Sequence, residues 1–150
     1  MKIIATNKKA YFNYQIVDTI EAGIVLNGDE VKSIRNNGIS INEAFATIHD
    51  SEIMLINCHI APYSHAYSKK DTSRQTRKLL LNRHEINKLI GKLAKTGLTL
   101  IPLKVYFNAR GFIKIELGLG KHKKAHDKRD AIKDRDIHRE ASRETKVRIR

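Results

Sequence analysis

Leu98-Thr99-Leu100-Ile101-Pro102-Leu103-Lys104-Val105-Tyr106-Phe107, followed by Asn108-Ala109-Arg110-Gly111 and Ile113-Lys114-Ile115-Glu116-Leu117, is the stretch on which the fold turns. Leu98 to Phe107 reads as a strand whose alternation slips at Ile101-Pro102, the mark of an edge or a bulge. The four residues from Asn108 to Gly111 form a turn. Ile113, Ile115 and Leu117 then alternate with Lys114 and Glu116, as a half-buried strand requires. On the N-terminal side, Asn82 is a helix cap with Glu85 three residues on, close to a capping box. Ile86, Leu89, Ile90, Leu93 and Ala94 fall at helical spacing and make one apolar face. Gly97 terminates that helix.

Nearer the N-terminus, Tyr11 to Asp18 and Ile20 to Leu26 read as two strands, with a turn at Asn27-Gly28-Asp29. Asp29 is placed to cap a helix from Glu30 to Asn36 that Gly38 ends. Ile53 to Ile60 is a further apolar strand, and residues 62–76 are a polar surface loop. The sum is about six short strands with two or three short helices, and no βαβ alternation. The expected fold is mainly β with short helices (α+β): an OB-like antiparallel barrel, closed so that no long edge is exposed, with flanking helices. The expected division is a barrel domain over 1–122 and a basic C-terminal tail over 123–150.

Charge is the strongest compositional signal. Lys and Arg number 29 against 16 Asp and Glu, a net of +13. A field of that size draws polyanions. A membrane-surface binder would set its basic residues opposite large apolar ones on a helix. The most basic region, 121–150, has only Ile132, Ile137, Val147 and Ile149 as larger aliphatics, so nucleic acid is the expected partner and no membrane is. That region holds 12 Lys/Arg and 6 Asp/Glu. It cannot bury enough apolar surface to offset its ordering entropy and reads as a tail mobile in the free protein. Fully helical, residues 127–150 would span roughly 36 Å. The single cysteine, Cys58, excludes an internal disulfide framework. With no apolar signal segment, a cytoplasmic location is expected.

The Gly118-Leu119-Gly120-Lys121-His122-Lys123-Lys124-Ala125-His126-Asp127-Lys128-Arg129 stretch joins the last strand to the tail. Glycines there would admit a phosphate and the lysines neutralise it, or the stretch is a plain hinge with solvated charges. It is not a P-loop, because no Ser or Thr follows the lysine. His122 and His126 are four apart, but a metal needs more ligands than they supply, and no metal or other cofactor is expected. No nucleophile or paired-carboxylate motif appears, so no catalysis is expected. Of Tyr11, Phe12 and Tyr14, most are expected in the core, and an exposed one could stack on an unpaired base.

Three separated segments resemble one family. Asn7-Lys8-Lys9-Ala10, Tyr14, Glu21-Ala22-Gly23-Ile24-Val25-Leu26 and Gly28-Asp29-Glu30-Val31-Lys32-Ser33-Ile34-Arg35 resemble the N-terminal signature of the SmpB family, the SsrA-binding proteins of bacterial ribosome rescue. Arg77-Lys78-Leu79-Leu80-Leu81-Asn82 resembles its central motif, and Gly120 to Arg129 its C-terminal signature. The resemblance implies an OB-type barrel that binds the tRNA-like domain of tmRNA, one to one and as a monomer. It implies delivery to the A site of a stalled ribosome for trans-translation, with elongation factor Tu and alanyl-tRNA synthetase as indirect partners through tmRNA. The tail, disordered when free, would become helical in the decoding centre and the empty mRNA channel.

By position, the resemblance assigns tmRNA binding to Asn7, Lys8, Tyr14, Glu21, Lys32, Arg35, Leu81, Asn82, Lys121, Lys123 and Lys124. It assigns the decoding centre and channel to His126, Asp127, Lys128, Arg129, Ile132, Lys133 and Arg135, with contact to small-subunit rRNA. His122 stands where the family usually has glycine, and the tail is slightly short. The competing readings are a generic OB-fold single-stranded RNA-binding or ribosomal protein, with a steep salt slope and little selectivity, and a ribonuclease using His126 with Lys124.

Overall fold

The strand–turn–strand unit expected over 98–117 forms two neighbouring strands of the barrel wall. A computed structural model describes residues 2–63 and 72–123, ordered β1 (Lys2–Thr6), α1 (Lys8–Asn13), β2 (Tyr14–Ile24), α2 (Gly28–Arg35), β3 (Ile39–Ser40), β4 (Phe45–His49), β5 (Glu52–Ile56), β6 (His59–Ile60), β7 (Arg77–Leu80), α3 (Arg83–Thr96), β8 (Thr99–Phe107) and β9 (Ile113–His122). β8 and β9 pair antiparallel from Thr99↔Gly120 to Phe107↔Ile113, with a shift in register between Pro102 and Lys104. The slip at Ile101-Pro102 is therefore a bulge, fitting for a proline that has no N–H to give a ladder. At the turn, Asn108 Oδ1 accepts the amides of Arg110 and Phe112, and Gly111 takes φ 82°.

β8 is not an edge. Beside β9, it pairs on its other side with β4 at Ala46↔Leu100 and with β1 from Lys2↔Phe107 to Thr6↔Lys104. The ring β8-β4-β5-β7-β2-β9 closes through the β8–β9 pairing, and every pairing in it is antiparallel. The inner face packs Ile53, Leu55, Leu79, Leu100, Val105, Ile115 and Leu117. α3 touches that same interior through Ile86 and Leu89, so it lies across an open end of the barrel. Its capping box is formed: the Glu85 amide donates to Asn82 Oδ1 at 2.9 Å and the Asn82 amide to Glu85 Oε1 at 3.4 Å. Gly97 ends it at φ 61°. Ala94, expected on the apolar face, is exposed. Gly91 sits on the outward face, where glycine is about 1 kcal/mol less favourable than alanine.

Four expectations change. Tyr11 to Asp18 is not one strand: its first part is α1, and a single strand, β2, then runs through to Ile24 with a register shift between Ile16 and Asp18. The reason is Asn7, whose side chain accepts from the Ala10 amide and starts a helix. Asp29 is not the cap of α2. Asn27 is, in a capping box with Glu30. Ile53 to Ile60 divides into β5 and β6 at Asn57, which takes φ 60°. Finally, Gly118 to His122 is neither phosphate loop nor hinge but the second half of β9. A Cβ on Gly118 would lie 2.6 Å from Leu103 Cδ1, and one on Gly120 3.0 Å from Ile101 Cδ1. These glycines leave room for Leu103 and Ile101 to lie across the outer wall, and Ala10 of α1 packs on that pair.

α2 is fixed by a buried ion pair. Arg77 Nε donates to Glu30 Oε2 at 2.5 Å, and both side chains are almost wholly buried. The remaining guanidinium hydrogens go to the carbonyls of Cys58, Gln75, Thr72 and Ser73. All five donors are thus used, which offsets the cost of desolvating the charge. Replacing Arg77 with Met leaves the Glu30 carboxylate buried and unpaired. Urea unfolding of Arg77→Met should show a loss of about 3–5 kcal/mol, and the double variant Glu30→Leu/Arg77→Met should recover part of it.

Candidate nucleic-acid interface

One corner of the barrel gathers basic and aromatic side chains, and Asn7 builds it. Asn7 is 2% exposed. Its Nδ2 donates to the carbonyls of Ile41 at 3.1 Å and Pro102 at 3.0 Å, its Oδ1 accepts from Ala10, and its amide donates to Leu103. α1 is thereby held on the outer wall. It presents Lys8 and Tyr11 to solvent, with Lys9 in an exposed ion pair to Glu43 that holds the Glu43 carboxyl below its usual range. α1 leads directly into Tyr14, which stands opposite His122 of β9 with ring centroids 5.1 Å apart, edge to face. Lys121 is exposed one register position away, opposite Gln15. The Lys123 amide donates to the Asn13 carbonyl, and its Nζ to the Tyr11 carbonyl at 3.3 Å. Lys8, Tyr11, Tyr14, His122 and Lys123 thus share this corner, with Lys121 at the same strand end but on the other face of β9, a set of cations beside rings suited to phosphates and unpaired bases.

The other residues assigned by resemblance lie elsewhere. Lys32 and Arg35 are exposed on α2, with Lys32 Nζ 5.2 Å from the centre of the Tyr63 ring. Leu81, half-buried, and Asn82, exposed, mark the joint between β7 and α3. Glu21 lies on β2, opposite Glu116 of β9, and accepts a hydrogen bond from the Tyr106 hydroxyl, which reaches across β9. Lys124, His126, Asp127, Lys128, Arg129, Ile132, Lys133 and Arg135 lie outside the described residues. Among the described residues, no group of three or more His, Cys, Asp or Glu is placed to hold a metal ion, and no helix is long and apolar enough to cross a membrane.

Sequence reading missed the Glu21–Tyr106 contact. The period-2 pattern of β8 and β9 held the signal, since it puts Tyr106, Lys114 and Glu116 on one face, but the partner on β2 needed the register. Burial raises the Tyr106 hydroxyl well above the usual tyrosine range, with the Glu21 carboxylate adding to the effect. Burial likewise pushes the Cys58 thiol up to about 11, which keeps it a packing group.

A closed antiparallel barrel with such a corner defines a class, the small β-barrel proteins that take nucleic acid on an outer face. A profile of the SmpB protein family matches residues 4–147. The SsrA-binding protein of Coprothermobacter proteolyticus is 50% identical over 149 residues, covering 99% of both chains. The SsrA-binding protein of Rhodopseudomonas palustris strain TIE-1 is 53% identical over 143 residues, 95% of this chain and 91% of its own. A chain solved under the description "tmRNA-SmpB: a journey to the center of the bacterial ribosome" superposes with a TM-score of 0.67 at 44% identity, covering 85% of this chain and 93% of that one. The chain belongs to the SmpB family.

The Tyr106 contact has a pH signature. The folded hydroxyl titrates above that of the unfolded chain, so its contribution to stability is full below a pH of about 10 and falls as the pH rises beyond it. Urea melts from neutral pH to about pH 11 should show a smaller alkaline loss for Tyr106→Phe than for the parent chain.

Proposed function

We propose that this chain binds the tRNA-like domain of tmRNA and delivers it to the A site of stalled bacterial ribosomes for trans-translation. The observation that carries the reading is identity of about half to SsrA-binding proteins along essentially the whole chain. The corner formed by α1, the start of β2 and the end of β9 supports it, because Lys8 and Lys123 lie beside Tyr11, Tyr14 and His122 there and Lys121 is exposed at the same strand end. In this reading those lysines take phosphates, and the rings pack on unpaired nucleotides. Asn7 contributes by holding α1 in place. Glu21, turned by Tyr106, accepts from base amino groups. Lys32 and Arg35, with Leu81 and Asn82, extend the contact.

Residues 123–150 form the second functional part. Lys124, His126, Asp127, Lys128 and Arg129 act in the decoding centre, with His126 stacking on a small-subunit rRNA base. Ile132, Lys133 and Arg135 begin the segment that enters the mRNA channel. A charged tail that orders only against a surface finds none when mRNA fills the channel, and so distinguishes an empty channel from an occupied one. The protein acts in the cytoplasm as a monomer, one per tmRNA, and meets elongation factor Tu and alanyl-tRNA synthetase only through that RNA. It performs no chemistry of its own.

The test is binding to the tRNA-like domain against an elongator tRNA of equal length at about 0.15 M salt, where weak charge contacts are screened. A large preference for the tRNA-like domain is expected, and it should persist in a chain ending at residue 130 that has lost tagging of stalled nascent chains. Equal binding to both RNAs would mean that net charge alone supplies the affinity.

A further inference from the structure

We propose that Asn37 is a site of spontaneous deamidation that the fold itself creates, and that the product, a carboxylate beside Lys32 and Arg35, weakens RNA binding as the protein ages. The chemistry is independent of the function just given, and only its consequence for RNA rests on that reading.

An asparagine followed by glycine is open to this reaction, because no Cβ on the second residue hinders its amide nitrogen. The chain has two such pairs, Asn27-Gly28 and Asn37-Gly38. They flank α2, one at each end. α2 closes in a Schellman turn: the Gly38 amide donates to the Ser33 carbonyl at 2.8 Å and the Asn37 amide to the Ile34 carbonyl at 2.9 Å. Asn37 takes φ 60°, a left-handed conformation that asparagine and glycine adopt more readily than other residues. A Cβ on Gly38 would lie 2.3 Å from Ser33 Oγ and 2.8 Å from the Ser33 carbonyl oxygen, so glycine is required there. Ser33 is not free to move aside. Its Oγ donates to the Ala61 carbonyl at 2.6 Å, and the Gly38 carbonyl accepts the Ala61 amide at 2.7 Å. The seat of α2 thus fixes a glycine directly after a position that favours asparagine.

The reaction needs only water. The Gly38 nitrogen, giving its proton to solvent base, bonds to Asn37 Cγ, and the side-chain nitrogen leaves as ammonia. The cyclic imide so formed takes up one water at either carbonyl and opens, leaving aspartate or isoaspartate at position 37. Nothing is oxidised or reduced.

The two asparagines differ in what restrains them. Asn27 Oδ1 accepts the Glu30 amide at 2.8 Å, and the Asn27 amide donates to Glu30 Oε1 at 3.1 Å. Turning the Asn27 side chain away to react breaks a cap worth about 1 kcal/mol. Asn37 is exposed, and no described residue bonds its carboxamide. What holds it back is the Gly38 hydrogen bond at a helix end, where the backbone opens most readily. The consequences differ too. Aspartate at position 27 caps a helix as well as asparagine does. A carboxylate at position 37 meets the negative end of the α2 dipole, two residues beyond Arg35. It weakens the last turn and offsets the charge that Lys32 and Arg35 offer to a phosphate. Isoaspartate also adds a methylene to the backbone and breaks the turn. The Glu30–Arg77 pair still holds the rest of α2, so the change stays local.

The experiment incubates the full-length chain in warm, mildly alkaline buffer, folded and in urea, and follows the exchange of amide for carboxyl in each Asn-Gly peptide by mass spectrometry. In urea both sites should convert at similar rates, since only local sequence then acts. In the folded chain Asn37 should convert several-fold faster than Asn27. The aged chain and Asn37→Asp should bind the tRNA-like domain roughly twofold to fivefold more weakly than the fresh parent. Asn37→Gly keeps the left-handed turn, so it should bind like the fresh parent and hold its affinity through the incubation. A folded Asn37 that stays intact while the urea sample converts would overturn the site, as would Asn27 converting as fast as Asn37. Unchanged affinity in both Asn37→Asp and the aged chain would overturn the consequence for RNA. A fresh parent with no preference for the tRNA-like domain would instead contradict the functional reading, and the mass measurements would stand apart from it.

Discussion

Asn7 holds three parts of the chain at once. Its amide group ties the carbonyls of Ile41 and Pro102, while its oxygen caps the helix that begins one residue later. With 2% of its surface exposed, these bonds form in a medium where an unmade partner is costly. The bulge in β8 puts the Pro102 carbonyl within reach, and Gly118 and Gly120 let Leu103 and Ile101 form the bed on which Ala10 rests. Remove any one and α1 loses either its anchor or its seat. The basic corner is therefore a consequence of packing, since Lys8, Tyr11 and Tyr14 are placed by groups that never reach solvent.

The seat of α2 is organised by the same logic with charge in place of amides. Glu30 belongs to the capping box of α2 and also receives Arg77, whose guanidinium gathers four carbonyls from the segments around it. A single buried arginine thus joins α2, β7, the link between β5 and β6 and the chain before β7. Hydrogen bonds of a charged group to several carbonyls fix geometry well, because each lost partner leaves a desolvated donor. Lys32 and Arg35 owe their position on α2 to that lock.

Where local chemistry decides the structure, the sequence was readable. The capping box at Asn82, the period of α3, the stop at Gly97 and the two strands around Asn108 all follow from neighbours a few residues apart. Where partners come from far along the chain, it was not. α1 is six residues with little helical pattern, and its cap is held by Ile41 and Pro102, 34 and 95 residues away. β4 supplies a wall of the barrel, yet Phe45, Ala46, Thr47, Ile48 and His49 show no sharp alternation. The glycines after Leu117 carry the same composition as a phosphate loop, and only the side chains of Leu103 and Ile101 distinguish the two. The candidate site was legible as a list of cations and rings; the strut that assembles them was not.

Asn7 therefore links the fold to its function, and one variant separates the two possible roles. The decisive measurement is Asn7→Ala, read both as affinity for the tRNA-like domain and as amide hydrogen exchange over residues 8–13. The account predicts that affinity falls and that exchange in α1 rises with it, while β8 and β9 stay protected. Lost affinity with α1 still protected would mean that Asn7 meets the RNA itself. A frayed α1 with full affinity would mean that the RNA binds elsewhere, and either result would contradict the account.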